Sequence, residues 1–220
     1  MPLGTMLVWA AAVAACAACE IAAVQRGDRR SVYVFKPLTT ILVIAAAMWA
    51  FAPPHRAYGE WVLAGLACSL AGDVFLMLED RFFLAGLASF LVSQLVYARA
   101  FTLGVGLHAT QLPWLAPFAF FALMVVIALW KGLPGGTMRG AVVVYAAAIA
   151  LMAWRAAARL HAPAVPFRSG ALALAGACLF LASDATLAVN RFRRPFRLGK
   201  AVTDATYWAA QFLIALSVWP

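Results

Sequence analysis

The sequence is dominated by long apolar stretches, each about as long as a helix needs to be to cross a membrane. Of its 220 residues, 66% are hydrophobic and 11% are charged, whereas a soluble domain is about half apolar and a quarter charged. A membrane-spanning helix takes about 20 apolar residues, and stretches of that length fill the chain. We therefore expect an all-α fold, a polytopic membrane helix bundle that forms one integral membrane domain over residues 1–220.

Polar connectors rich in Pro and Gly separate the apolar stretches and mark their ends. The pattern predicts eight transmembrane helices. They cover residues 4–24, 34–51, 61–78, 82–102, 113–130, 139–159, 169–189 and 200–219. A seven-helix bundle would require one of these spans to fail, and the second is the first candidate.

The distribution of Lys and Arg predicts the orientation, because cytoplasmic loops are enriched in these residues. Twelve follow the first, third, fifth and seventh spans: Arg26, Arg29, Arg30, Lys36, Arg81, Lys131, Arg139, Arg191, Arg193, Arg194, Arg197 and Lys200. Five lie on the other side: Arg56, Arg99, Arg155, Arg159 and Arg168. We expect the richer side to be cytoplasmic and both termini to face outward. The net charge of +9 is then explained by topology and anionic lipid headgroups, without nucleic acid.

Two aspartates lie inside apolar stretches of similar sequence. Asp73 stands in "SLAGDVFLMLEDRFF" and Asp184 in "FLASDATLAVNRFRR". In both, a small residue precedes the Asp, an Arg-Phe follows about eight residues later, and the next helix holds a glutamine, Gln94 or Gln211. The offset of four helices is even, so it predicts a parallel repeat of two four-helix halves.

Each aspartate lies six residues before the predicted end of its helix, about 9 Å inside that end, and both ends face the predicted cytoplasmic side. An ionised Asp at the bilayer centre costs about 2.5–3.5 kcal/mol, so such residues usually face a cavity or a partner. Two carboxyl groups that converge in a low-dielectric pocket cannot both ionise easily. One would be an acid and the other a base, as acid–base hydrolysis requires. The alternative is that each bonds its own neighbours, such as Ser69 for Asp73 or Lys200 for Asp184.

Further polar side chains are predicted to gather near these aspartates. Lys36, at the start of the second span, either holds a phosphate or carboxylate or is an ordinary interfacial lysine. Glutamines in membrane helices usually turn inward, where they bind a ligand or only join helices. Two helix faces carry such groups: Gln94 with Tyr97 in the fourth span, and Asp204, Tyr207 and Gln211 in the eighth.

Other chemistries find little support in the sequence. Cys16 and Cys19 form a C-x-x-C, but there is neither a second pair nor a nearby histidine, so we predict no metal site. The G-x-S-x-G and H-E-x-x-H motifs are absent, as is the G-x-G-D of intramembrane aspartyl proteases. Two alternatives remain for the buried carboxylates: a proton-coupled transporter and a non-catalytic lipid-binding membrane protein.

An ordered set of motifs resembles the YhhN family, whose animal members are lysoplasmalogenases. The motifs are "KPLTT" (36–40), "GDVFLM" (72–77), "GLASFLVSQLVYARAF" (86–101), "SDATLAVNRF" (183–192) and "TYWAAQFLIALS" (206–217). The resemblance implies hydrolysis of the vinyl ether bond of a lysoplasmalogen or related lysolipid. The products would be a fatty aldehyde and a glycerophospho-alcohol, formed without metal or cofactor.

The resemblance also implies roles for particular residues. It puts the catalytic pair on Asp73 and Asp184, one as acid and the other as base. On this hypothesis Lys36 and Arg191 bind the headgroup phosphate. Substrate or water would be oriented by four further side chains: Gln94, Tyr97, Tyr207 and Gln211. The expected partners are a lysophospholipid and membrane lipid, and the expected location is a bacterial inner membrane, with the site toward the cytoplasmic leaflet.

Overall fold

The computed structural model describes residues 3–49 and 56–219, and these ranges are helical apart from short connectors. The helices are α1 (Leu3–Arg26), α2 (Arg29–Trp49), α3 (Arg56–Met77), α4 (Phe83–Thr102), α5 (Leu115–Leu129), α6 (Gly135–Leu160), α7 (Phe167–Phe192) and α8 (Gly199–Leu216). Short 3₁₀ turns at Asp80–Phe82 and Ala109–Trp114 precede α4 and α5. The all-α prediction is confirmed. Residues 50–51, the predicted end of the second span, lie outside the described ranges.

Helix α2 begins five residues before its predicted start because Asp28 caps it. The Asp28 carboxylate accepts hydrogen bonds from the backbone N–H groups of Arg30 (3.1 Å) and Ser31 (3.3 Å), which an N-cap side chain is suited to do. These bonds, led by that from the Ser31 hydroxyl, hold the pKa of Asp28 below its usual value. The apolar pattern alone could not find this start, since the first turn is polar.

Seven segments in the described ranges are long and apolar enough to cross a membrane, and they correspond to α1 to α7, with α4 and α5 counted together with the 3₁₀ turns that precede them. Helix α8, which the sequence pattern predicted as the eighth transmembrane helix, is not among them, whereas the second predicted span, named as the candidate to fail, is. It has 18 residues and carries Lys200 and Asp204 near its start.

The helices pack in a ring in which α1, α2, α3, α4, α6, α7 and α8 follow one another and α8 returns to α1. Helix α8 also contacts α2 and α3, so it lies toward the middle of the bundle. Helix α5 stands outside the ring and packs mainly against α6. The closest partnerships are α3 with α4 and α7 with α8, the two helix pairs that carry the related sequence motifs.

Glycines allow both of these pairs to pack closely. A Cβ at Gly65 of α3 would lie 2.4 Å from the ring of Tyr97, and one at Gly72 would lie 2.6 Å from the ring of Phe90. On α7, a Cβ at Gly176 would lie 2.7 Å from Ile214 of α8. Small residues at such contacts let membrane helices approach one another. Here they also bring the aromatic rings of α4 against α3.

Two arginines that were counted on the less basic side of the membrane, Arg155 and Arg159, are buried within α6. Arg155 donates hydrogen bonds to the side-chain oxygen of Gln111 (2.7 Å) and to the carbonyl of Gly106, and Arg159 donates to the carbonyl of Leu103 (3.0 Å). These acceptors lie at and after the end of α4. The guanidinium groups thus fasten the connector between α4 and α5 to α6.

Candidate active site

Asp184 of α7 has one carboxylate oxygen held by two donors and the other free. Its Oδ2 accepts hydrogen bonds from the Tyr145 hydroxyl of α6 (2.6 Å) and from Nε2 of Gln94 of α4 (3.0 Å). In the described part of the chain its Oδ1 accepts no hydrogen bond. The carboxyl is therefore fixed in orientation, with one oxygen available to a ligand.

Asp184 lies in the wall of a cavity of about 80 Å³ between α4, α5, α6 and α7. About 10–15 Å³ of such space is enough for one water molecule. The lining is apolar apart from Tyr145, Asp184 and Arg191. The cavity lies at the end of the bundle where α4 and α6 begin and where α5 and α7 end.

Helix packing and small side chains leave the space beside Asp184 open. Helix α5 packs mainly on α6 and only lightly on α7, so it does not close against α4. The walls from α6 and α7 include small residues, among them Ala146, Ala185 and Ala188. Larger side chains at these points would fill the space beside Asp184.

The mouth of the cavity is basic. Arg191 lies seven residues after Asp184 on α7, which puts both side chains on one helix face about 10 Å apart along the axis. The Arg191 guanidinium stacks 3.9 Å from the ring centroid of Phe83 and pairs with Asp80 at 3.1 Å. An apolar cavity with a carboxyl in its wall and a cation at its mouth suits an amphiphile with an anionic head.

Asp73 lies in a different polar cluster, formed by α1, α2, α3 and α8. It is 1% exposed. Its Oδ2 accepts hydrogen bonds from the hydroxyls of Thr40 (2.6 Å) and Tyr207 (2.8 Å). Lys36, Asp204 and Glu20 are the charged residues of this cluster that interact electrostatically with it.

Lys36 is already paired within this second cluster. Its ammonium lies 3.3 Å from Asp204 and 3.9 Å from Glu20, and the Trp208 indole donates to Glu20 at 3.5 Å. Lys36 does not line the cavity that contains Asp184. The structure therefore places it with buried carboxylates, away from the position where it was expected to meet a headgroup phosphate.

Of the remaining predicted residues, Gln94 bonds to Asp184 and Tyr207 bonds to Asp73, while Tyr97 and Gln211 bond to each other. The Tyr97 hydroxyl donates to Oε1 of Gln211 at 2.7 Å, joining α4 to α8. Gln94, Tyr97 and Gln211 are each 0% exposed, which confirms that the glutamines turn inward. Phe90 and Phe180 pack edge-to-face against Tyr207, each with ring centroids 5.7 Å away.

The two aspartates are not in direct contact, contrary to the expectation that they converge. Asp73 faces α2 and α8, whereas Asp184 faces α4 and α6, and their hydrogen-bond partners differ. Their positions relative to the helix ends also differ from the prediction. Helix α3 ends at Met77, four residues after Asp73, and α7 ends at Phe192, eight residues after Asp184. Helix α3 is shorter because a 3₁₀ turn follows it, while α7 continues through Asn190.

Sequence reasoning missed two of these residues, Tyr145 and Glu20. Tyr145 is the polar residue of an Ala- and Val-rich run near the middle of α6, far from the interfaces where tyrosines usually stand. Glu20 lies in an apolar span, where a carboxylate is costly. Both residues stand out in the sequence. Neither pattern indicates which residue of another helix they bond to, Asp184 for Tyr145 and Trp208 for Glu20.

Within the described ranges, the His, Cys, Asp and Glu side chains form no group of three arranged to hold a metal ion. The four cysteines are free thiols.

The fold and this site define an integral membrane protein, a polytopic helix bundle with buried carboxyl groups and an apolar cavity beside one of them. The particular family follows from comparison with known proteins. The model of the YhhN family matches residues 31–218, and the chain belongs to that family. No solved structure matches the chain.

Named relatives occur in bacteria and in mammals. The chain is 30% identical over 197 residues to the uncharacterized membrane protein YhhN of Escherichia coli O157:H7, covering 88% of this chain and 90% of the relative. It is 36% identical over 159 residues to the lysoplasmalogenase TMEM86A of Bos taurus, covering 71% of this chain and 64% of that protein. The lysoplasmalogenase TMEM86B of Sus scrofa is 35% identical over 166 residues, with 73% and 64% covered. The match thus spans less than two thirds of each of these two mammalian proteins.

Proposed function

We propose that this protein hydrolyses the vinyl ether bond of a lysoplasmalogen or a related lysolipid. The observation that carries the proposal is the carboxyl of Asp184, with one free oxygen in the wall of an apolar cavity that has Arg191 at its mouth. The names of the mammalian relatives support the same reaction. The cavity would take the reacting end of the lipid chain, and Arg191 would bind the phosphate.

The first step is protonation. Asp184, protonated on its free Oδ1, gives its proton to the β-carbon of the vinyl ether, and an oxocarbenium ion forms. General acids of this kind contribute about 10²- to 10⁴-fold. Tyr145 and Gln94 hold Oδ2 throughout, and their hydrogen bonds strengthen as the carboxyl becomes a carboxylate, since charged acceptors bind more strongly.

The second step is hydration. The Asp184 carboxylate takes a proton from a water molecule while the water oxygen bonds to the oxocarbenium carbon, and this gives a hemiacetal. The hemiacetal then loses its hydroxyl proton as its bond to the glycerol oxygen breaks. That oxygen gains a proton, so the products are the fatty aldehyde and the glycerophospho-alcohol. One carboxyl serves both steps, as acid and then as base.

The other predicted residues take positioning roles in this proposal. Asp73 holds Thr40 and Tyr207, and Lys36 balances the charge of Glu20 and Asp204. Tyr97 and Gln211 join α4 to α8. The bond between Tyr97 and Gln211 fixes α4, the helix that carries Gln94 and Phe90, against α8.

The test is incubation of the purified protein with a lysoplasmalogen in D₂O, followed by immediate trapping of the aldehyde. The proposal predicts one aldehyde for each glycerophospho-alcohol, with one deuterium on the carbon next to the aldehyde carbon. Cleavage without that deuterium would exclude protonation of the β-carbon. Intact lysolipid after prolonged incubation would exclude hydrolysis altogether.

A proton-coupled transporter is the second candidate, favoured by the buried cluster of Lys36, Glu20, Asp73 and Asp204. It predicts that a lysolipid crosses the membrane of a sealed proteoliposome and is recovered unchanged. Mass spectrometry of the recovered lipid separates this outcome from hydrolysis.

The proposed orientation has both termini outward and the cavity toward the cytoplasmic leaflet of a bacterial inner membrane, and it requires α8 to cross the membrane in addition to the seven helices α1 to α7. The basic connectors after α5 and α7, with Lys131 and Arg193 to Arg197, support it through the positive-inside tendency. Reporter fusions at the C-terminus test it: alkaline phosphatase should be active there and a cytoplasmic fluorescent reporter inactive.

A further inference from the structure

An exposed ion pair stands at the mouth of the cavity. Nη2 of Arg191 lies 3.1 Å from Oδ1 of Asp80. Asp80 belongs to the 3₁₀ turn that precedes α4 and its side chain is 91% exposed, whereas that of Arg191 is 36% exposed and lines the cavity. Asp80 therefore lies farther from the cavity than the cation it pairs with.

Stability does not account for this pair. Exposed ion pairs are worth about 0–1 kcal/mol, and Arg191 is already held by its stacking on Phe83. The surrounding connectors are basic. Arg81 is next to Asp80 in sequence, Lys131 follows the end of α5, and Arg193 follows the end of α7. An acidic side chain beside Arg191 weakens the attraction of that end for anions.

We propose that Asp80 selects lysolipids whose headgroup ends in an ammonium group. The inference rests on the proposed function and deepens it. The order of groups along the mouth, from Asp184 through Arg191 to Asp80, matches the order of vinyl ether, phosphate and ammonium in a zwitterionic lysolipid. The rise of about 10 Å between Asp184 and Arg191 is of the order of the span across the glycerol from the ether to the phosphate.

Binding exchanges one set of ion pairs for another. The Arg191 guanidinium pairs with the phosphate of the lipid, because its N–H donors can bind two phosphate oxygens at once. The Asp80 carboxylate, released from Arg191, accepts the ammonium of the same headgroup. A headgroup that lacks an ammonium leaves Asp80 unpaired beside the phosphate, and like charges at that distance repel.

Glu79 provides a matched control. It is the neighbouring acid, similarly exposed, and it pairs with Arg81 at 3.1 Å. Asp80 pairs with Arg191, which lines the cavity, whereas Glu79 pairs with Arg81, which does not. If negative charge at this end of the bundle acted in general, neutralising either acid would change the headgroup preference. If Asp80 acts at the mouth of the cavity, only its neutralisation would change that preference.

The experiment measures binding of saturated 1-O-alkyl lysolipids, which have no vinyl ether to cleave, to wild type, Asp80→Asn and Glu79→Gln in nanodiscs. The headgroups are phosphoethanolamine and phosphoglycerol. Wild type and Glu79→Gln should prefer phosphoethanolamine by about fivefold, the value of one exposed ion pair, and Asp80→Asn should lose the preference. Equal binding of both lipids by wild type, or an unchanged preference in Asp80→Asn, would overturn the inference. Because these lipids are not hydrolysed, failure of the proposed reaction would appear separately, as absent aldehyde from vinyl ether lipids.

Discussion

Replacing Tyr145 by phenylalanine removes one of the two donors that hold Oδ2 of Asp184. The 2.6 Å bond from its hydroxyl is present before and after Asp184 gives up its proton, but it gains strength with the charge. A hydrogen bond is worth about 0.5–1.5 kcal/mol between neutral groups and about 1.5–3 kcal/mol to a charged one. The differential loss is therefore about 1–1.5 kcal/mol. Since each 1.36 kcal/mol is tenfold in rate, Tyr145→Phe should slow the chemical step about 5- to 13-fold.

The assay is single-turnover aldehyde release from a lysoplasmalogen in nanodiscs, with binding of a saturated ether lysolipid measured in parallel. Binding should be unchanged, because Gln94 still orients the carboxyl. Tyr33→Phe is the matched control, since Tyr33 is an exposed tyrosine of α2, and it should turn over at the wild-type rate. Wild-type turnover by Tyr145→Phe would refute the reasoning, as would a loss as complete as that of Asp184→Asn.

Three further substitutions test the second cluster and the buried arginines. Asp73→Asn should slow aldehyde release less than Asp184→Asn does, because Asp73 lies outside the cavity; equal losses would mean that both carboxyls reach the substrate. Lys36→Met leaves Glu20 and Asp204 without a counterion and should cost about 3–5 kcal/mol of stability. Thermal unfolding in detergent measures this, with the exposed Lys131→Met as control, and an unchanged melting temperature would contradict it. Arg155→Met removes the guanidinium bonds to the connector after α4 and should cost about 3 kcal/mol or more; faster proteolysis of that connector would report it, and wild-type resistance would speak against it.

The helices could be read from the sequence because bilayer thickness imposes a strong pattern. Stretches of about 20 apolar residues separated by Pro and Gly identify helices whatever their partners are. The starts of α2 and α3 were harder, since their first turns lie in polar sequence. For α2 the decisive group is the Asp28 cap, a local interaction that hydropathy does not register.

The candidate site was predictable as a set of polar residues but not as an arrangement. Insertion cost singles out Asp73, Asp184, Gln94 and Gln211 in sequence, and all lie inside the bundle. Their pairing depends on which helices become neighbours. Lys36 meets Asp204 across 168 residues, a contact that only the packing of α2 on α8 creates.

The same limit explains the error about the two aspartates. Related motifs and similar spacing suggested one shared pocket. Two related motifs, however, can form two similar environments at separate locations in the bundle, and they need not meet in one pocket. Asp73 of α3 bonds to Tyr207 of α8, and Asp184 of α7 bonds to Gln94 of α4. The aspartate of each helix pair, α3 with α4 and α7 with α8, is therefore held by a helix of the other pair.

Turnover of a lysoplasmalogen by Asp184→Asn tests the central claim most directly. The asparagine keeps the size of the side chain and can still accept the bonds from Tyr145 and Gln94, but it has no acidic proton to give. With binding of the saturated ether lysolipid unchanged, aldehyde release should fall by at least about 100-fold, the lower end of what general acids contribute. Release within a few-fold of the wild-type rate would contradict the account.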